Sequence, residues 1–109
     1  MANATEQIFV EKLLSLLRHR ALSKRPKDVF DLAYLCGKMK SSVLRKYIRI
    51  LVYENSKCQV QTKAELLEIL KDVFASKSFM RRLGSVAANW LQISPEIATS
   101  TIVKFLESV

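Results

Sequence analysis

The stretch that decides the fold is EQIFVEKLLSLLRHRALSKRPKDVFDLAYL, residues 6–35, in which two apolar patterns flank a basic segment containing Pro26. Apolar side chains recur every three or four residues in both patterns, and this spacing predicts two amphipathic helices. Pro26 interrupts the first pattern but suits the first turn of the second helix. The apolar positions are Ile8, Phe9, Leu13, Leu16 and Leu17, followed by Val29, Phe30, Leu32, Ala33 and Leu35.

The rest of the chain repeats this helical spacing, and most segments begin with a residue suited to capping a helix. With only 2 Gly and 2 Pro, turn signals are too few for a meander of short strands. We therefore predict an all-α protein, a compact bundle of about six short helices forming one domain over residues 1–109. The further helices are expected at 41–54, 63–75, 78–92 and 94–109. The candidate caps are Thr5, Ser41 or Ser42, Thr62 with Glu65, Ser76 or Ser78, and Ser94 with Pro95.

Charge and composition exclude several classes of protein. A net charge of +8 favours phosphate-bearing or acidic partners. The single histidine and two cysteines lack the spacing of a zinc site, and free thiols suit a reducing, cytoplasmic setting. The longest apolar runs are a few residues and the N-terminus lacks the signal-peptide pattern, so we expect no membrane segment.

Asp28 and Asp31 stand one helical turn apart and allow two interpretations. If the helix begins at Pro26, Arg25 is the cap and Asp28 favours the positive helix end by roughly 0.3–1 kcal/mol. Asp31 then pairs with a neighbouring cation, and both carboxylates serve stability alone. Alternatively, two carboxylates beside Arg25 and Lys27 handle phosphate and a divalent cation. The residues themselves leave both interpretations open.

The preceding helix adds Glu11 and Lys12, ahead of Lys27-Asp28 and Asp31-Leu32. This order resembles the later part of the AbiEii/AbiGii-type toxin nucleotidyltransferases. In that family a helix with a Glu-Lys pair precedes, after a short basic linker, an Arg-Asp-x-x-Asp-Leu helix. The resemblance covers residues 6–35, with a lysine at position 27 where the family pattern has arginine.

The resemblance implies a nucleotide site. It implies that Lys12 and Asp28 are catalytic, with Lys12 contacting nucleotide phosphate. It implies that Arg25, Lys27 and Asp31 bind phosphate or support these two residues. Mg²⁺ and a nucleotide are the cofactors expected of the complete enzyme, with RNA among its substrates and an antitoxin as a partner.

One part of the family pattern is missing from this sequence. Family members carry an earlier core with a Gly-Ser turn and two carboxylates that hold the metal. The Gly84-Ser85 pair here is followed by Val86-Ala87-Ala88, with no carboxylates. We therefore expect a C-terminal half, lacking its N-terminal catalytic half, or a degenerate relative. Either form should have no metal site of its own and be inactive alone.

A second hypothesis needs no enzyme. In this hypothesis the protein is a stand-alone basic helical module that binds nucleic acid or an acidic protein partner. The basic region that suggests it comprises Lys38, Lys40, Arg45, Lys46 and Arg49.

Overall fold

A computed structural model describes residues 4–22, 26–55, 60–85 and 92–109, and these contain six α-helices and no strand. The prediction of an all-α fold is confirmed. A 3₁₀ turn, Arg20–Leu22, follows the first helix, and a π-helical segment, Arg49–Tyr53, extends the third. The helices are α1 (Thr5–His19), α2 (Asp28–Leu35), α3 (Ser41–Ile48), α4 (Lys63–Ala75), α5 (Lys77–Gly84) and α6 (Pro95–Ser108).

Three predicted caps are confirmed. The Thr62 hydroxyl accepts the Glu65 N–H at 3.2 Å, which caps the start of α4. The predicted capping box is incomplete, because the Glu65 carboxylate accepts from the Thr62 hydroxyl and not from the Thr62 backbone N–H. The hydroxyls of Ser76 and Ser94 each accept the N–H three residues on, at the starts of α5 and α6. Pro95 occupies the first turn of α6 as predicted.

Two predicted caps are wrong. The cap of α1 is Ala4 and that of α3 is Lys40, and neither gives a side-chain hydrogen bond. Thr5 and Ser41 are instead the first residues inside their helices. Both helices therefore begin without local side-chain help.

The junction between α1 and α2 also differs from the prediction. The apolar pattern predicts that the first helix continues to Leu22, but α1 ends at His19 because Arg20 has a positive φ of 51°. α2 begins at Asp28 rather than Pro26, and Lys27 is its cap instead of Arg25. Pro26 and Lys27 form a turn immediately before α2. Arg25 itself lies outside the described residues.

The core is built around α1, which packs against α2, α3 and α4. Phe9 is fully buried and meets Phe105 of α6 edge to face, with ring centroids 6.0 Å apart. Val10 is buried beside it, whereas Ile8, predicted to be buried, is 36% exposed. The resulting globule has a radius of gyration of 13.1 Å.

The β-branched run after α3 stays helical, as its surrounding period predicts. The Glu54 N–H donates to the Arg49 carbonyl at 2.9 Å, the five-residue spacing of a π-helix. Leu44, Ile48 and Val52, each four residues apart, keep one buried stripe through both segments. No helix in the described parts of the chain is long and apolar enough to cross a bilayer.

A carboxylate of α1 ties the start of the chain to the start of α3. Glu6 accepts the backbone N–H of Lys40 through its Oε2 atom at 2.9 Å. This hydrogen bond lowers the pKa of the Glu6 carboxyl below its usual 4.5. The negative charge also lies next to the positive end of α3. Glu6 therefore stabilises the start of this helix, which the side chain of its cap, Lys40, does not.

The Glu6 contact predicts a specific pH dependence of stability. A carboxyl whose pKa is lower in the folded than in the unfolded state stabilises the fold above the unfolded pKa. That stabilisation is lost as the pH falls through the folded pKa. We expect Glu6→Gln to lower the free energy of unfolding at neutral pH, with the deficit shrinking as the pH drops below 4.5. Urea unfolding at several pH values measures it, with Glu11→Gln as the control. A deficit that stays constant with pH contradicts a role for the charge.

Candidate functional site

Lys12 of α1 bridges two carboxylates of α2. Its Nζ atom lies 3.3 Å from Asp28 Oδ1 and 3.2 Å from Asp31 Oδ2. The cluster therefore joins the two helices that the sequence singles out, through residues 16 and 19 positions away from Lys12. These three residues are called the Lys12 cluster below.

The helix spacing explains why the three side chains meet. Asp28 and Asp31 are three residues apart and share one face of α2. On α1, Lys12 stands next to Leu13, which is fully buried, and so lies at the edge of the packed face. On α2, the buried Val29 follows Asp28 in the same way. When the two apolar faces pack, both charged residues are carried to the rim of the contact.

Burial makes the cluster more than a surface ion pair. The Asp28 side chain is only 6% exposed, against 26% for Lys12 and 32% for Asp31. A carboxylate so far from water needs a compensating charge, which Lys12 supplies. Both aspartates also lie in the first turn of α2, where the helix dipole favours negative charge.

An open depression of about 270 Å³ lies beside the cluster. An ammonium has three N–H donors, so two carboxylates leave one for a further acceptor. Lys12 thus combines a fixed position with access to water. The residues lining the depression are Ile8, Glu11, Lys12, Ser15 and Asp28.

The structure brings together three of the five predicted site residues. Lys12, Asp28 and Asp31 are in contact. Lys27 is exposed and contributes its backbone carbonyl to the start of α2, and Arg25 lies outside the described residues. Asp31 contacts Lys12, and its pairing with a cation of its own segment stays a prediction, because residues 23–25 lie outside the described part of the chain.

Sequence reasoning missed two residues that line the depression. Ser15 and Ile8 lie three residues after and four residues before Lys12, which is the spacing of one helical face. Ile8 belongs to the apolar period that predicts α1, which by itself favours a packed position. Its 36% exposure instead makes it an apolar wall of the depression.

The Lys12 cluster does not fit Mg²⁺. Within the described residues, no group of three or more His, Cys, Asp or Glu side chains is arranged to hold a metal ion. Lys12 also lies between the two carboxylates, where its positive charge opposes that of a divalent cation. The arrangement suits an anion that approaches the ammonium from the depression.

The cluster should contribute measurably to stability. We expect Lys12→Met to lower the free energy of unfolding by about 1–2 kcal/mol, because it leaves Asp28 buried without this partner. Asp28→Asn and the double variant complete a cycle, whose coupling energy should be about 0.5–1.5 kcal/mol. Lys104→Met, an exposed lysine of α6, is the control and should cost less than about 0.5 kcal/mol. Additive effects of the two single changes would rule out a direct interaction.

Comparison with known proteins agrees with the helical pair and extends beyond it. The model of the family described as "Nucleotidyl transferase AbiEii toxin, Type IV TA system" matches residues 2–98. No curated protein matches the chain, and no solved structure does. The match reaches well past residues 6–35. It leaves out only the first residue and residues 99–109, which include most of α6. The protein therefore belongs to the AbiEii toxin family of nucleotidyl transferases.

Proposed function

We propose that this chain is the helical C-terminal lobe of a nucleotidyltransferase-like toxin and contributes Lys12 and Asp28 to its nucleotide site. The observation that carries the proposal is the Lys12 ammonium, which two carboxylates hold at the edge of an open depression. Family membership supplies the reaction class. The metal-binding core is proposed to lie on residues outside this sequence.

The chemistry asked of Lys12 is electrostatic. Nucleotidyl transfer depends on positioning and on neutralising the charge of phosphate oxygens, because the protein forms few covalent bonds itself. In the proposed site Lys12 binds a phosphate oxygen through its remaining N–H. Asp28 and Asp31 hold the ammonium in place, so that little reorganisation is needed when charge develops on the phosphate.

The other predicted residues take supporting roles in this proposal. Lys27 and Arg25 add positive charge near the start of α2, where the helix end also attracts anions. Mg²⁺ and the nucleotide are proposed as cofactors of the complete enzyme, with the metal held by carboxylates that this chain does not provide. The chain alone is then expected to bind phosphate weakly and to transfer nothing.

Binding of inorganic tripolyphosphate tests the site without assuming a base. We expect amide shifts in residues 8–15 and 28–31 to saturate with a roughly millimolar Kd. Lys12→Met should weaken this binding roughly five- to tenfold, because one charge-assisted hydrogen bond is lost. Asp28→Asn should strengthen it roughly two- to threefold, since it removes a negative charge that competes for the ammonium.

The matched control for this titration is Lys77→Met, which removes an exposed lysine from α5 and should leave the binding unchanged. Shifts at residues 8–15 that survive Lys12→Met would refute the proposed site. Separately, robust transfer of labelled nucleotide by this chain alone would refute its role as an incomplete half.

The alternative function is binding of nucleic acid or an acidic protein partner. The observation in its favour is a set of solvent-exposed cationic side chains on and near α3. The family description names a toxin–antitoxin system, so an antitoxin is the protein partner we propose for this surface. The exposed cations are Lys38, Lys40, Arg45, Lys46 and Arg49.

A salt series separates this alternative from the nucleotide site. If three lysines of the α3 region each neutralise an RNA phosphate, Lys38→Gln/Lys40→Gln/Lys46→Gln should reduce the slope of log K against log salt by about 2. Filter binding of a short single-stranded RNA measures the slope. A triple variant at Lys71, Lys77 and Lys104 removes the same charge from other helices and serves as the control. Equal losses in both triple variants would show unspecific attraction only.

A further inference from the structure

A second cavity, of about 310 Å³, lies between α3, the π-helical segment, α4 and α6, and shares no residue with the Lys12 cluster. Its volume is at the lower end of the roughly 300–1,000 Å³ of small-molecule clefts. It is called the α3–α6 pocket below. Its lining residues are Arg45, Ile48, Arg49, Tyr53, Lys63, Leu66, Leu106 and Val109.

The inner wall of the pocket is apolar. Ile48, Leu66 and Leu106 are each less than 5% exposed, and their side chains come from three different elements. Tyr53 is the one neutral polar side chain in the lining, and burial raises the pKa of its phenol. An apolar ligand surface would lose contact with water here without leaving polar groups unpaired.

The rim of the pocket is cationic. Arg45 and Arg49 are exposed and stand one helical turn apart, where like charges repel. Neither guanidinium has an acidic partner among the described residues. Lys63 differs, because its ammonium donates to the backbone carbonyl of Glu107 at 3.0 Å and to the main-chain terminal oxygen of Val109 at 3.2 Å, and its charge is used there. The two arginines thus provide the uncompensated charge.

We propose that the α3–α6 pocket binds a small organic anion, with its apolar body against Ile48, Leu66 and Leu106 and its anionic group on Arg45 and Arg49. A carboxylate, sulfonate or phosphate suits the two guanidiniums, because their planar forks bind oxyanions with paired hydrogen bonds. A nucleobase fits poorly, since its polar edge would be desolvated against hydrocarbon with Tyr53 as its one neutral side-chain partner. The site is therefore separate from the proposed nucleotide site in both residues and ligand chemistry.

Two fluorescent probes that differ in charge test the proposal. The anionic probe is 8-anilinonaphthalene-1-sulfonate, and the neutral probe, N-phenyl-1-naphthylamine, has the same rings without the sulfonate. We expect Arg45→Gln/Arg49→Gln to weaken binding of the anionic probe roughly five- to tenfold, because two charge-assisted contacts are lost. Binding of the neutral probe should change less than about twofold, since the apolar wall is intact.

The control is Lys46→Gln/Lys104→Gln, which removes the same net charge from exposed positions outside the pocket and should leave both probes unaffected. Amide shifts caused by the anionic probe should centre on residues 45–53, 63–66 and 106–109. The proposal fails if both double variants weaken the anionic probe equally, if the probe does not saturate, or if the shifts centre elsewhere. Lys12→Met should not alter probe binding, so this result is independent of the nucleotide site.

Discussion

The contact on which the candidate site depends is the bridge from the Lys12 ammonium to the carboxylates of Asp28 and Asp31. Asp28 is almost buried, and a nearby cation compensates the cost of removing its carboxylate from water. Lys12 comes within reach of these carboxylates only when the apolar face of α1 packs against α2. Formation of the site and pairing of these helices are therefore one event, and the site cannot be preserved if the packing is lost.

The sequence predicts the helices well because their signals are local. Thr62, Ser76 and Ser94 cap helices through bonds to residues three positions away, which spacing alone reveals. The starts of α1 and α3 could not be predicted in this way. The carboxylate that serves α3 belongs to Glu6, which reaches the Lys40 N–H from 34 residues away. No local rule identifies such a partner.

The same distinction applies to the candidate site. That Asp28 and Asp31 share a helix face follows from their spacing, but their common partner on α1 does not. Local spacing offers Asp31 a neighbouring cation as one partner, and only the resemblance to a family places Lys12 near Asp28. The depression beside Lys12 also could not be predicted from the sequence. Ile8 fits an apolar period equally well whether it packs in the core or lines the depression. The packing of the helices, and not the local sequence, determines which of these positions Ile8 occupies.

The cations of this chain differ in how they are compensated, and this difference says more than the net charge of +8. Arg45 and Arg49 have no acidic partner among the described residues, so no neighbouring carboxylate offsets their attraction for anions. Lys12 is held by two carboxylates, so in its proposed role we expect it to attract a resting phosphate only weakly. In its proposed role this weakness is an advantage. An enzyme accelerates a reaction only through interactions that strengthen in the transition state. A lysine balanced in the ground state but fixed in place gains most when extra negative charge develops beside it, whereas an unpaired arginine binds substrate and transition state alike. Within the proposed function, the catalytic role is therefore assigned to Lys12, whose charge is already balanced, and not to Arg45 or Arg49.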